Sequence, residues 1–182
     1  MMNTGYIQNY YGTSKGKTTA ALGLSFRALG KGFKILWVMF TKGKIIEMPT
    51  FYGEINTIKQ RCTIDEFRIE QYGIKTVLYK SKLGASTRKI LEDGWEFAKE
   101  NINNNNYDMI VLDELNVVID LGVLDLNDVV NTIKNKPKQM EIVITGRPEI
   151  KELIEISDLV TEMKEIKHYF KNNVLARNGI EY

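Results

Sequence analysis

The chain has 182 residues, 43% hydrophobic and 26% charged, enough to build one domain with a sizeable core. Its 25 Lys and Arg against 23 Asp and Glu leave a net charge of +2, which argues against a nucleic-acid partner, since such binders carry a marked basic excess. A lone cysteine, Cys62, excludes an internal disulfide, and no stretch approaches the roughly 18 consecutive apolar residues of a membrane span; a cytoplasmic protein with no membrane partner is expected.

In chain order, Tyr6–Tyr11 reads as a strand running into a glycine loop. Thr18–Leu29 is rich in helix formers and ends at Gly30, the expected C-cap. Lys34–Phe40 (KILWVMF) is the continuous apolar run expected of a strand buried on both faces. Tyr52–Arg61 and Thr87–Glu100 read as helices, and between them "FRIEQYG" and "TVLY" read as two short strands. The asparagines Asn103–Asn106 read as a solvated turn. Tyr107–Leu112 and Glu141–Thr145 are further buried strands, separated by a helix over Leu126–Ile133. Leu153–Ile156 closes another helix, and Asp158–Met163 forms a last strand. No linker or repeat interrupts the pattern, so one domain over residues 1–182 is expected. Alternating strands and helices imply an α/β fold with a parallel sheet and helices on both faces.

The stretch "YYGTSKGKTTAALG", residues 10–23, carries most of the chemistry. A phosphate loop usually reads Gly, four residues, then Gly-Lys-Ser/Thr. Gly16-Lys17-Thr18 closes that pattern, but Tyr11 stands where the first glycine belongs, and the available glycine, Gly12, comes one residue late. The context is nonetheless that of a phosphate loop, with a strand before it and a helix opening near Gly16. Backbone N–H groups and the helix N-terminus then face an anion. Lys17 supplies a point charge to phosphate oxygens, and the Thr18 hydroxyl can ligate Mg²⁺. Downstream, "YDMIVLDE" ends an apolar strand in Asp113-Glu114. Carboxylates at the carboxyl end of a buried strand lie at the ligand-binding edge of an open α/β sheet, where one of them can hold Mg²⁺ beside the phosphates. The class expected is therefore a P-loop, RecA-like open sheet, mostly parallel.

Beyond the loop, the chain resembles the P-loop ATP:corrinoid adenosyltransferases. "GTSKGKTTAALGLSFRALGKG" is similar to that family's opening segment, late glycine included, and "VMFTKG" (38–43) to its second strand. "YDMIVLDEL", "ITGR" (144–147), "DLVTEM" (158–163), "KHYF" (167–170) and "ARNGIEY" (176–182) resemble its later signatures in order. The resemblance implies attack of Co(I) on the 5′ carbon of ATP with tripolyphosphate leaving, so the shortened loop reads as one that grips a departing triphosphate. It implies ATP as co-substrate, Mg²⁺ as cofactor, a reduced corrinoid, an electron-donating flavoprotein and a homodimer. By position, Gly12, Thr13, Ser14, Lys15, Gly16, Lys17, Thr18 and Thr19 are the expected ATP-binding residues, with Arg27 reaching the phosphates. Lys17, Thr18 and Glu114 form the catalytic set, and Thr18, Glu114 and Asp113 the magnesium ligands. No protein nucleophile or general base is needed, which suits a sequence with one histidine, His168, read as structural.

The sequence departs from the family pattern in three places. Ser14 stands at a usual glycine. Asn173 replaces another, where asparagine tolerates left-handed backbone. The family's Gly-x-Gly-aromatic-x-Trp segment has no clear equivalent, and the best register puts Val77 and Tyr79 there. Two other readings stay open: a small P-loop kinase or ATPase, and a non-catalytic nucleotide-binding regulatory or corrinoid-carrier protein. Trp37 and Trp95 read as packing, and Cys62 as an inert thiol.

Overall fold

A computed structural model describes residues 3–43, 52–74 and 83–182. The strands are β1 (Ile7–Tyr11), β2 (Ile35–Met39), β3 (Phe67–Gln71), β4 (Met109–Asp113), β5 (Glu141–Gly146) and β6 (Leu159–Glu162). The helices are α1 (Lys17–Leu29), α2 (Gly53–Arg61), α3 (Ala85–Asn103), α4 (Leu115–Asp120), α5 (Leu126–Lys134) and α6 (Lys151–Ile156). A 3₁₀ turn over Tyr169–Asn172 opens the C-terminal tail. The strands form one six-stranded sheet in the order β3-β2-β4-β5-β1-β6, and every pairing is parallel.

Pleat alternation sorts the apolar residues into two layers. Leu36, Val38, Ile110, Leu112, Ile142 and Ile144 point to one face, where α3 to α6 cover them with Leu91, Trp95, Val118, Val129 and Leu153. Ile35, Trp37, Met39, Met109, Val111 and Val143 point to the other, covered by Ala21 of α1 and by Ile55 and Ile58 of α2. Because both faces are covered, every residue of β2, β4 and β5 is buried, and the unbroken apolar runs of the sequence follow directly. The edges differ: β3 is half-buried and most of β6 is exposed.

The sequence places most of these elements within a few residues. Of the two short strands expected after α2, "FRIEQYG" contains β3, whereas "TVLY" lies outside the described residues, together with Val77 and Tyr79. The expected C-cap Gly30 ends α1 with an ordinary right-handed backbone (φ −63°), and the left-handed turn comes two residues later at Gly32 (φ +78°). Helix α4 is not expected from its apolar sequence. It exists because Glu114 turns left-handed (φ +66°), breaking the strand and starting a helix on Leu115. Trp37 packs as expected, stacked on Phe67 at 6.1 Å. Trp95 packs too, and its indole also donates to Asp128 (2.7 Å).

Candidate active site

The carboxyl ends of β1, β2, β4 and β5 converge on a cleft of about 690 Å³. Its floor is the loop between β1 and α1. Tyr11 still pairs with Glu162 of β6, so β1 runs one residue further than the usual loop pattern allows. Met163 then crosses the loop: its N–H donates to the Tyr11 carbonyl (2.7 Å), and its carbonyl accepts from the Ser14 N–H (3.0 Å). Gly12 lies beneath that crossing with φ +117°, and a Cβ there would stand 2.6 Å from the Met163 oxygen. The strand's extra length and β6's close approach together explain why the glycine comes late.

Two loop amides are committed inside the fold, Gly12 to the Arg147 carbonyl (3.3 Å) and Ser14 to Met163. The free donors are those of the first turn of α1, where Gly16 (φ +115°) opens the helix and no side chain caps it. Such an end holds an anion well. Lys17, 6% exposed, folds back over the loop and donates to the carbonyls of Gly12 and Ser14 (2.7 Å each). Burial lowers its pKa and the Arg147 charge adds to that, against Glu114 and Asp113, which raise it.

Asp113, 0% exposed, organises the wall opposite. Its Oδ1 accepts from the hydroxyls of Thr18 (3.0 Å) and Thr145 (2.7 Å), and its Oδ2 has the Lys42 ammonium at 3.3 Å. The Thr145 hydroxyl in turn accepts the Glu114 N–H (2.9 Å), fixing the left-handed residue whose side chain enters the cleft. A non-glycine residue held in that backbone region carries strain of the kind that concentrates at functional sites. Burial, then the Asp113 charge, raise the Glu114 pKa, while Lys17, Lys42 and Arg147 pull it down.

The C-terminal tail forms the remaining rim. Lys15 donates to the Tyr169 hydroxyl (2.8 Å) and to Glu181 (2.7 Å), and the Tyr169 hydroxyl donates to the same carboxylate. Arg177 lies over the Tyr169 ring at 4.9 Å and pairs with Glu181 at 3.2 Å. Hydrogen bonds from Arg177, Lys15 and Tyr169 hold the Glu181 carboxyl far below the usual carboxylate range. His168 lines the cleft, with its Nδ1 accepting the Phe170 N–H (3.1 Å).

Of the expected residues, Ser14, Lys15, Gly16, Lys17, Thr18, Thr19 and Glu114 line the cleft. Gly12 and Asp113 are buried behind them, and Thr13 is exposed outside. Arg27 is exposed in the last turn of α1, beside Phe26, which lines the cleft. Asp113 is set back, its oxygens engaged by Thr18, Thr145 and Lys42. Sequence reasoning missed Lys42, Arg147 and the tail residues Glu181 and Tyr182, all of which line the cleft. Lys42 and Arg147 had a signal, since Lys42 comes three residues after β2 and Arg147 directly follows β5, as Asp113 ends β4. The tail had none.

Among the described residues no group of three or more His, Cys, Asp and Glu could form a metal cage. A magnesium ion does not need one, because it takes one or two protein oxygens and completes its shell with substrate phosphates and water. Thr18, whose proton goes to Asp113 and whose lone pairs remain, and the Glu114 carboxylate are hard oxygen donors of that kind.

The fold and this cleft define a P-loop nucleotide-binding protein of the α/β class. The family model described as "ATP:corrinoid adenosyltransferase BtuR/CobO/CobP" matches residues 3–182, and the chain belongs to that family of transferases. It is 33% identical over 178 residues to a corrinoid adenosyltransferase of Escherichia coli (strain K12), covering 98% of this chain and 86% of that one. It is 30% identical to the corrinoid adenosyltransferase of Salmonella typhimurium, with the same coverage of both. An uncharacterised protein of Nostoc sp. (strain PCC 7120) is 35% identical over 98% of this chain, which spans 48% of that longer protein. Among solved structures, the flagellar accessory protein FlaH of Methanocaldococcus jannaschii shares the fold, with a TM-score of 0.55 over 88% of this chain and 72% of that one, at 12% identity. No helix among the described residues is long and apolar enough to cross a membrane.

Proposed function

We propose that the protein transfers the 5′-deoxyadenosyl group of ATP to the Co(I) centre of a corrinoid, with tripolyphosphate as leaving group. The observation that carries this reading is a cleft suited to a triphosphate in which the described residues form no paired nucleophile and base. Lys17, Arg147 and the amides opening α1 surround the loop, and the histidine of the cleft spends its Nδ1 on a backbone amide. The attacking atom must then come from the substrate. The cobalt electron pair forms the Co–C bond, the C5′–O bond breaks, and that bond's electron pair leaves with the tripolyphosphate, so cobalt passes formally from Co(I) to Co(III). Charge builds on the departing oxygens, where preorganised cations and N–H groups act most strongly.

Mg²⁺, held by Thr18 and Glu114 with Asp113 behind them, would neutralise part of the triphosphate charge and orient the chain. Co(I) must be supplied by a one-electron reductant, for which a flavoprotein is the proposed partner. A homodimer is proposed from the resemblance, and β6 with its exposed Leu159 and Val160 is an edge with apolar surface to spare. The lone cysteine supports a cytoplasmic location.

Anaerobic incubation with Mg·ATP and chemically reduced corrinoid tests the reading. It is expected to give a light-sensitive cobalt–carbon product together with tripolyphosphate. ADP and orthophosphate alone would favour a second reading, an ATPase, which Glu114 supports because a carboxylate beside the phosphates can orient an attacking water. ATP binding with neither product would point to the regulatory or carrier reading.

A further inference from the structure

Lys42 is a charged residue of the cleft to which the reaction assigns nothing. It lies just past β2, on a segment built into the sheet: Lys42 pairs with Ile74 in a parallel bridge, and its carbonyl accepts from the Gln71 side chain (3.3 Å). The side chain is 23% exposed, and its ammonium lies 3.3 Å from Asp113 Oδ2 and 3.8 Å from Glu54 on α2, with the Tyr52 ring centre at 5.9 Å.

A fully buried carboxylate needs such a partner, because an uncompensated buried charge is strongly destabilising. Asp113 Oδ1 accepts from Thr18 of α1 and Thr145 of β5, while its buried Oδ2, which accepts no hydrogen bond among the described residues, has the Lys42 ammonium at 3.3 Å. Its adjacent carboxylate, Glu114, is the one left facing the cleft. We infer that Lys42 is a positioning residue: from beside Oδ2 it holds the Asp113 carboxylate in the one orientation whose Oδ1 takes the Thr18 proton, so that the Thr18 lone pairs face the nucleotide's metal ion. Through Glu54 the same ammonium ties α2, whose Gly53 and Thr57 line the cleft, to the phosphate loop. The inference rests on reading the cleft as an Mg·ATP site and acts through Asp113, not by contact with the phosphates.

A double-mutant cycle on ATP binding, without corrinoid, tests it. ATP is titrated calorimetrically over a range of Mg²⁺ concentrations into the parent, Lys42→Met, Asp113→Asn and the double variant, with melting temperatures recorded alongside. Lys42→Met is expected to raise the Mg²⁺ concentration for half-maximal ATP binding roughly tenfold, the size usual for loss of a supporting partner of a metal ligand. Asp113→Asn should raise it similarly, and the double variant should match Asp113→Asn, because Lys42 has nothing to position once Asp113 is neutral. The double variant should also melt above Lys42→Met, having no unpaired buried charge. A folded Lys42→Met with the parent's Mg²⁺ dependence overturns the inference, even if it melts lower. So does a double variant whose shift is the product of the two singles, since Lys42 would then touch the nucleotide directly. Should Lys42→Met fail to fold, the double against Asp113→Asn decides alone: equal Mg²⁺ dependence supports, a further shift overturns. A parent protein that binds no Mg·ATP fails the reading of the cleft itself, which is a separate result.

Discussion

Two carboxylates anchor the helix end of the phosphate loop, in opposite surroundings. Asp113 holds Thr18 from a position with no solvent exposure, its Oδ1 hydrogen-bonded by Thr18 and Thr145 and its Oδ2 beside the Lys42 ammonium. Glu181 holds Lys15, whose side chain is 43% exposed, from a tail whose Phe170, Leu175 and Ile180 face solvent. A buried carboxylate with a paired charge fixes geometry and tolerates no loss, whereas an exposed ion pair contributes little and weakens with salt. The chemistry is thus set at the strand ends, while the tail closes the rim with contacts that can be exchanged.

Removing the ammonium that spans the loop should have the largest effect. Lys17→Ala is expected to weaken Mg·ATP binding by roughly 10- to 100-fold, the loss of about 1.5–3 kcal/mol of charge-assisted bonding, with circular dichroism unchanged. Undiminished affinity by calorimetry in a folded variant would remove Lys17 from the site.

Next is the crossing of β6 over the loop. Gly12→Ala combines an unfavourable positive φ with a backbone clash and should lower stability by about 1–3 kcal/mol. Gly32→Ala is the matched control: its φ is also positive, but nothing lies within 4 Å of a Cβ there. Equal losses in denaturant midpoint for the two variants would mean that Met163 does not constrain the loop.

Smaller, and confined to the metal, is Glu114→Gln. ATP binding should persist in part while the Mg²⁺ requirement rises roughly tenfold. An unchanged Mg²⁺ titration would reduce Glu114 to a helix-start residue.

The smallest effect belongs to the tail. Glu181→Gln should change ATP affinity by no more than roughly threefold, and the difference should shrink as salt rises from about 0.05 M to 0.5 M. The folded pKa of Glu181 lies below its unfolded value, so the contact is fully present above roughly pH 4.3 and is lost only as the pH falls through the lowered value. The Glu181→Gln difference should therefore be flat between about pH 6 and pH 8 in the same titrations. A large, salt-independent loss would give the tail the same standing as Asp113.

These two regions also differ in how far the sequence displays them. β2, β4 and β5 were legible because burial on both faces leaves unbroken apolar runs, and whatever follows such a run stands at the ligand edge. That logic reaches Asp113 and Glu114 directly, and it extends to Lys42 and Arg147. The late Gly12 was visible as an oddity, but its cause was not: the crossing of Met163 is a contact between residues far apart in the chain. Arg27 is exposed in the last turn of α1, a position the sequence pattern alone does not relate to the cleft. Helix α4 was hidden because "LNVVID" has the composition of a strand and only the backbone of Glu114 turns it. The Lys15–Glu181 contact leaves no local pattern at all.

One feature of the sheet bears on how the molecule is made. The strand of the phosphate loop and the acidic strand are not neighbours: β5 lies between them, and its Thr145 supplies the hydroxyl that joins Asp113 to Glu114. Both motifs leave the ribosome in the first two-thirds of the chain, but the strand that seats them side by side is synthesised later. Until Glu141–Gly146 has slotted in, the nascent protein holds a loop without its opposing wall, and nucleotide has nothing complete to stabilise. ATP can thus act only as a late clamp on a nearly finished sheet, and a chain released before β5 would carry every recognisable ATP signature while remaining blind to the nucleotide.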